Sequence, residues 1–334
     1  MATTQDVSVG VGVESTFKTG VTPTRFFEIV DESLDWNKNI KQGQGLRVGG
    51  RVARSARRVV PSADGAGDIT VEAISKGMGL LWQACLGGGV STLVSGSTYQ
   101  QLFTLGDNPP SLTVQKGLPQ AGGTVDAYTF LGCVVSGWEF SFPNADVCSL
   151  KVTFDAADVT TATAYATPSY PASPSLFHFA GGSVFTGTLT APTTTALASA
   201  VTPLADIRGG SVNGNNNVRN DRFNLGGAGR KSKQLVGLRE IAGSIDVEYD
   251  TTMFRDALLN DSPMSLVLNF TTPTALSTGV ETLQVVLPEI KFDSPLAQSN
   301  GTDLIVSSMN FTVLDNLTAA QPIWVVHRTS DTAL

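Results

Sequence analysis

The strongest constraint on the fold is a seven-residue stretch that occurs twice. Residues 66–72 read Ala66-Gly67-Asp68-Ile69-Thr70-Val71-Glu72 and residues 242–248 read Ala242-Gly243-Ser244-Ile245-Asp246-Val247-Glu248, with five of seven positions identical at an offset of 176. The likeness extends outward in the same order. Upstream, Val48-Gly49-Gly50 stands opposite Leu225-Gly226-Gly227, each followed by a basic run holding one serine, Ser55 or Ser232. Downstream lie two helix-like runs, at residues 78–86 and 253–259. Glycine and alternating Val/Ile recur in any two β-rich segments. Matching elements in matching order on both sides point further, to an internal duplication. In each copy the alternation puts Ile69 and Val71, or Ile245 and Val247, on one strand face. Asp68, Thr70 and Glu72, or Ser244, Asp246 and Glu248, fall on the other.

A duplicated unit sets the domain organisation. The 334 residues divide into a first module at 1–158 with an N-terminal arm, a Thr/Ala/Ser/Pro-rich join at 159–203, a second module at 204–318 and a C-terminal tail at 319–334. Apolar residues make up 41% and charged residues 15%, too apolar for disorder. The apolar runs are short and set between Gly, Ser and Thr, which favours many strands joined by turns. The expected class is therefore mainly β: two tandem sandwich or rolled-sheet modules, each with a short flanking helix. Strands are expected at 24–30, 99–105 and 111–115. A hairpin of 128–142 with 146–156 turns at Pro143-Asn144-Ala145. In the second copy, strands are expected at 265–270, 283–287, 290–292 and 304–313, where Asp303 and Phe311 repeat the spacing of Asp146 and Phe154. Residues 7–20 read as an opening arm, Gly87-Gly88-Gly89 as the stop of the first helix, and 323–327 as an added edge strand.

Catalytic chemistry is not legible. The two histidines, His178 and His327, sit in strand-like contexts, and no GxSxG elbow is present. The three cysteines, Cys85, Cys133 and Cys148, match no zinc spacing and read as buried small hydrophobes. No cofactor or metal site is expected. Glu72 and Glu248 are acids placed identically in both copies, which suggests a shared structural role: a salt bridge or a subunit contact. The start of the chain has no basic-then-apolar leader, and no apolar run approaches the ~20 residues of a membrane span. These features suggest a protein kept in a cytoplasm-like environment, with no membrane partner.

The formal net charge is −7, which argues against bulk binding of nucleic acid. Yet residues 38–58 carry Lys38, Lys41, Arg47, Arg51, Arg54, Arg57 and Arg58 without an acid, and the second copy carries Arg230, Lys231 and Lys233. Such runs could bind phosphate. Without interleaved aromatics or a nucleic-acid motif, a solvated or protein-pairing hairpin is the simpler expectation.

Several of these stretches together resemble the major tail tube proteins of long-tailed bacteriophages. They are the opening Gly12-Val13-Glu14-Ser15-Thr16-Phe17-Lys18-Thr19-Gly20, the basic hairpin before Gly67-Asp68-Ile69-Thr70-Val71-Glu72, the short helix ending Cys85-Leu86-Gly87, Ser111-Leu112-Thr113-Val114, and Gly132-Cys133-Val134-Val135-Ser136-Gly137-Trp138. Gly237-Leu238-Arg239-Glu240-Ile241-Ala242-Gly243-Ser244-Ile245 looks like the same module again.

The resemblance implies a structural virion protein without enzymatic activity. Sheets of neighbouring subunits would join edge to edge into a ring lined by a β-barrel. Rings would stack into a hollow tail tube, the conduit for DNA ejection into the host, with long hairpins and terminal arms reaching the next ring. A ring in this family presents six modules, so a chain supplying two implies three chains per ring; six chains, with the second module as decoration, is the competing arrangement. Implied partners are the chain itself, tape measure and tail terminator or baseplate proteins, and double-stranded DNA in passage without sequence-specific binding. The implied location is the virion tail, assembled in the host cytoplasm. On this reading the ten basic residues above are candidate inter-ring contacts, and Asp68, Thr70, Glu72, Ser244, Asp246 and Glu248 are candidate lumen-facing residues. The rival placement sets these acids on the outer surface against the basic hairpins. A β-sandwich glycan-binding or adhesin-type module is the alternative function; the leaderless start and 7% aromatics weigh against it.

Overall fold

The computed structural model describes residues 4–296 and 305–334. Strands make up 53% of the chain and helices 7%, so the fold is mainly β, as expected. The first half contributes β1 (Ser8–Val13), β2 (Arg25–Phe27), β3 (Ile29–Glu32), β4 (Asp35–Gln42), β5 (Arg58–Glu72), α1 (Gly79–Leu86), β6 (Gly87–Ser95), β7 (Thr98–Leu105), β8 (Leu112–Pro119), β9 (Val125–Phe142), β10 (Ser149–Ala156) and β11 (Asp158–Thr160). The second contributes β12 (Gly182–Thr190), β13 (Ser199–Leu204), β14 (Ile207–Asn215), β15 (Glu240–Glu248), α2 (Met253–Leu259), β16 (Met264–Ala275), β17 (Val280–Phe292), β18 (Val306–Val313) and β19 (Trp324–Thr329).

The two repeat cores are β5 and β15, and they occupy equivalent places. β5 pairs with β10, which pairs with β9. β15 pairs with β18, which pairs with β17. Every pairing is antiparallel. The glycine shared by both copies has a packing cause. Gly67 lies directly across from Phe154, and Gly243 directly across from Phe311; both rings are buried. A Cβ on Gly243 would stand 2.4 Å from the Phe311 ring. One on Gly67 would stand 2.5 Å from the Ser33 carbonyl, at φ +156°. Ile69, Val71, Ile245 and Val247 all point into the core, as the alternation predicts.

Both halves feed one continuous hydrophobic core that runs from Val9 to Val325. At its centre Trp82 of α1 stacks edge-on against Trp138 and lies 5.9 Å from Phe140, which meets Phe270 of the second half. α1 is apolar except at the half-buried Gln83, and its other seven residues are buried. Gly87 ends it in the left-handed conformation, φ 94°. α2 buries only Phe254 and Ala257.

Several local expectations are corrected by tertiary pairing. The opening arm is a core strand: β1 pairs with β2 and β8, and Val9 and Val11 are fully buried. Gly87-Gly88-Gly89 does more than stop a helix, because it begins β6, whose small residues let β7 approach closely. Along the stretch 159–203, read as a join partly ordered around Phe177-His178-Phe179 and Val184-Phe185, β12 pairs with β13 and with β16, and Phe177 is buried between Ala73 and Cys148 through backbone hydrogen bonds. The C-terminal strand is central rather than an edge, since β19 lies between β17 and β7 and is buried throughout. The strand expected at 304–313 runs from Val306; Asp303 and Leu304 lie outside the described residues.

Candidate assembly interface

The two halves meet strand to strand. β14, on the N-terminal side of the second repeat core, pairs with β15 on one side and β9 on the other. One sheet therefore crosses the molecule in the order β4–β5–β10–β9–β14–β15–β18–β17. Its core face is apolar. Its other face is a set of polar cross-strand rows. One row runs Glu72, Ser149, Ser141, Ser211, Ser244, Asn310; the next runs Thr70, Lys151, Glu139, Asn213, Ala242, Thr312. A third starts at Asp68, passes Thr153, Gly137 and Asn215, and ends at Glu240. All six residues proposed for a channel wall therefore share one face of one sheet. The sheet is not closed into a barrel: β4 pairs with β5 alone, while β17 continues into β16 and β19.

Two of these acids are paired within the chain. Asp68 meets Lys151 at 2.9 Å and Glu248 meets Arg208 at 3.2 Å, both partly exposed. The Asp68 carboxylate, by hydrogen bond and charge, raises the pKa of Lys151. Lys151 and Arg208 carried no sequence signal, because each lies far along the chain from its partner. Pairs this exposed are worth ~0–1 kcal/mol; the face stays acidic on balance through Glu72, Glu139, Glu240 and Asp246.

The basic residues divide into two groups. Lys38 and Lys41 lie on β4, Arg47, Arg51 and Arg54 between β4 and β5, Arg57 in a short 3-10 turn, and Arg58 at the start of β5. All but the half-buried Arg54 are exposed, and none forms an ion pair among the described residues. The second group is already engaged in the chain. Arg230 meets Asp158 at 2.8 Å, with its guanidinium 4.9 Å from the Trp36 ring centroid. Lys231 is buried between Asp155, at 2.5 Å, and Asp64, at 2.6 Å. Gln234 donates to the same Asp155 carboxylate at 2.9 Å. Burial of Asp155 outweighs these partners, so its pKa lies above the ordinary carboxylate value. Lys231 and Arg230 are thereby corrected from inter-ring candidates to a clasp of the second half upon the first. Lys233 stays exposed.

Two further side chains complete the clasp. Buried Asn216 donates to the carbonyls of Cys85 and Val135, at 3.1 and 2.9 Å. Arg239 donates to the Leu86 carbonyl at 2.6 Å, satisfying the C-terminal end of α1. Neither contact was legible in the sequence, because each joins residues more than 80 positions apart.

Among the described residues no cluster of three or more His, Cys, Asp or Glu is placed to hold a metal. No helix there is long and apolar enough to cross a membrane. The three cysteines are free and buried, and burial pushes the Cys148 thiol up to about 12. A family model described as phage tail tube protein matches residues 4–313. No curated protein matches the chain.

Proposed function

The chain belongs to the phage tail tube protein family, and from that premise we propose that it polymerises into rings of three copies, stacked as a hollow tube that conducts DNA during ejection. Its role is structural, in the virion tail, without catalysis.

The observation that carries this reading is the stagger of the repeat. Ser244 is the repeat equivalent of Asp68, yet the residue in Asp68's own cross-strand row is Glu240. Four strands on, the equivalent position has slipped by four residues. A rise of ~3.3 Å per residue against a strand spacing of ~4.8 Å makes that a tilt of about 35°, within the range of closed barrels. A flat, unstaggered sheet would not close.

Three chains with eight wall strands each give 24 strands, and at that spacing and tilt a barrel about 45 Å across. That is wide enough for double-stranded DNA and a water layer. The apolar face turns outward into the module cores and the polar face, with Asp68, Thr70, Glu72, Ser244, Asp246 and Glu248, lines the channel. An acidic wall suits DNA that must slide, because each phosphate held by a basic wall would release counterions and tighten the grip. The partners follow: further copies of the chain, and the proteins that set tube length and close its ends.

Electron microscopy of the purified protein tests the reading. Rings or tubes with three chains per ring are expected, with Glu72 and Glu248 at the channel wall. A ring mass of six chains would overturn the trimer. Those carboxylates buried against Arg54 across a subunit boundary would overturn the lumen assignment.

A further inference from the structure

We propose that the clasp holding the two halves of one chain together is repeated between chains. The free arm at residues 43–57 of one copy docks on the second half of another, with Arg54 against Glu240 and the adjoining arginines against Asp315. The proposal rests on the reading of the chain as a ring-forming tube protein and names the surfaces that join its copies.

The ground for it is that the two basic loops are one element in two states. Each turns at a positive-φ glycine, Gly49 at 81° and Gly226 at 86°. The next amide closes the same turn in each: Gly50 N–H to the Arg47 carbonyl at 3.2 Å, and Gly227 N–H to the Asn224 carbonyl at 3.0 Å. The common offset of 177 places Arg54 where the second loop has Lys231.

The second loop is seated. Ala63 N–H donates to the Gly229 carbonyl at 3.0 Å, and Lys231 and Arg230 take Asp64, Asp155 and Asp158. The first loop is not. Its Arg47, Arg51 and Arg57 are exposed, and none of its arginines forms an ion pair among the described residues; Val48 and its counterpart Leu225 are both fully exposed. The strands leading into the loops differ in the same sense. β14 is paired on both sides, whereas β4 pairs with β5 alone, an uncovered edge that a monomer would have reason to protect.

The receiving surface is present as well. Carried through the repeat, Asp64 becomes Glu240 on β15. The residue two beyond the end of β10, Asp158, becomes Asp315, two beyond the end of β18. Both are exposed, and neither is in an ion pair among the described residues. Asp155 becomes Thr312, whose hydroxyl donates to the Asp293 carboxylate at 2.9 Å, so an acid is kept at that corner too. The arm carries Arg47, Arg51, Arg54 and Arg57 with no acid, and so complements it in charge. Replacing the buried Asp155 by threonine and an exposed acid makes the contact between chains weaker than the clasp within one. That suits surfaces that must stay apart until assembly begins.

The test is disulfide trapping between two variant chains, Arg54→Cys and Glu240→Cys, mixed before assembly; the native cysteines are buried. Mild oxidation is expected to link the two kinds of chain, well above a control that pairs Arg54→Cys with Asp246→Cys. A charge swap is the second readout. Arg54→Glu or Glu240→Arg alone is expected to raise the protein concentration needed for assembly by about fivefold, the equivalent of an exposed pair near 1 kcal/mol, and the double variant to restore it. Tubes that form without the trapped pair, or single variants that assemble as wild type does, overturn the docking proposal and leave the tube reading standing. A wild-type chain that stays monomeric at every concentration overturns both.

Discussion

Lys231 lends itself to a quantitative test of how the halves are held together. Its ammonium is buried at 2.5 Å from Asp155 and 2.6 Å from Asp64. Replacing it by methionine keeps the volume but strands the buried Asp155 carboxylate, with only Gln234 left to solvate it. Breaking one side of a buried pair costs roughly 3–5 kcal/mol. At ~2.1 cal/mol/K of unfolding entropy per residue, the 334 residues shift by about 1.4 °C per kcal/mol when they unfold as one unit, so Lys231→Met should lower the Tm by about 4–7 °C.

The pH dependence adds a signature. Burial already holds Asp155 above the ordinary carboxylate pKa, and loss of Lys231 raises it further. A carboxyl whose folded pKa exceeds its unfolded value stabilises while protonated and loses that contribution as pH rises through the folded value. The variant should therefore be hurt more at pH 7 than at pH 5. Asp155→Asn added to Lys231→Met should recover much of the loss, because a neutral amide needs no counter-ion. Thermal melts of the four proteins of this cycle at both pH values measure the coupling. A loss below ~1 kcal/mol, or strict additivity of the two substitutions, would refute the assignment of the clasp to this pair.

Three other outcomes are expected. His327 is fully buried beside Phe177, and desolvation lowers its pKa to about 4. The unfolded chain takes up that proton near pH 6.5, so stability should fall from about pH 6.5 to 4 by roughly 1.4 kcal/mol per unit; His327→Leu should flatten that slope, and an unchanged slope in denaturant melts would count against it. Gly67→Ala should cost about 2–4 kcal/mol through the clash with the Ser33 carbonyl and the positive φ, read as a drop in denaturation midpoint; a neutral substitution would show that the strand can shift. Replacing Arg51, Arg54, Arg57 and Arg58 together by serine should weaken assembly while leaving the melting of the isolated chain nearly unchanged; tubes of normal yield and length would exclude these arginines from the contacts.

What the sequence determined alone is the repeated unit. Gly67 and Gly243, the alternation of Ile69-Val71 and Ile245-Val247, and the turn glycines Gly49 and Gly226 are local instructions, since strand period and turn chemistry act over a few residues. They were enough to assign the polar and apolar faces and the mainly β class. What only the tertiary structure decided is how the copies meet. Lys231 and Asp155 are 76 residues apart, and β9 reaches β14 across the whole 159–203 stretch. No local period encodes such pairings. A basic run also reads identically whether its partner lies in the same chain or another, because charge alone carries no address. Burial settles the difference: Lys231 is held inside by two acids, while Arg47 and Arg51 stand in solvent on an arm whose counterpart is already seated.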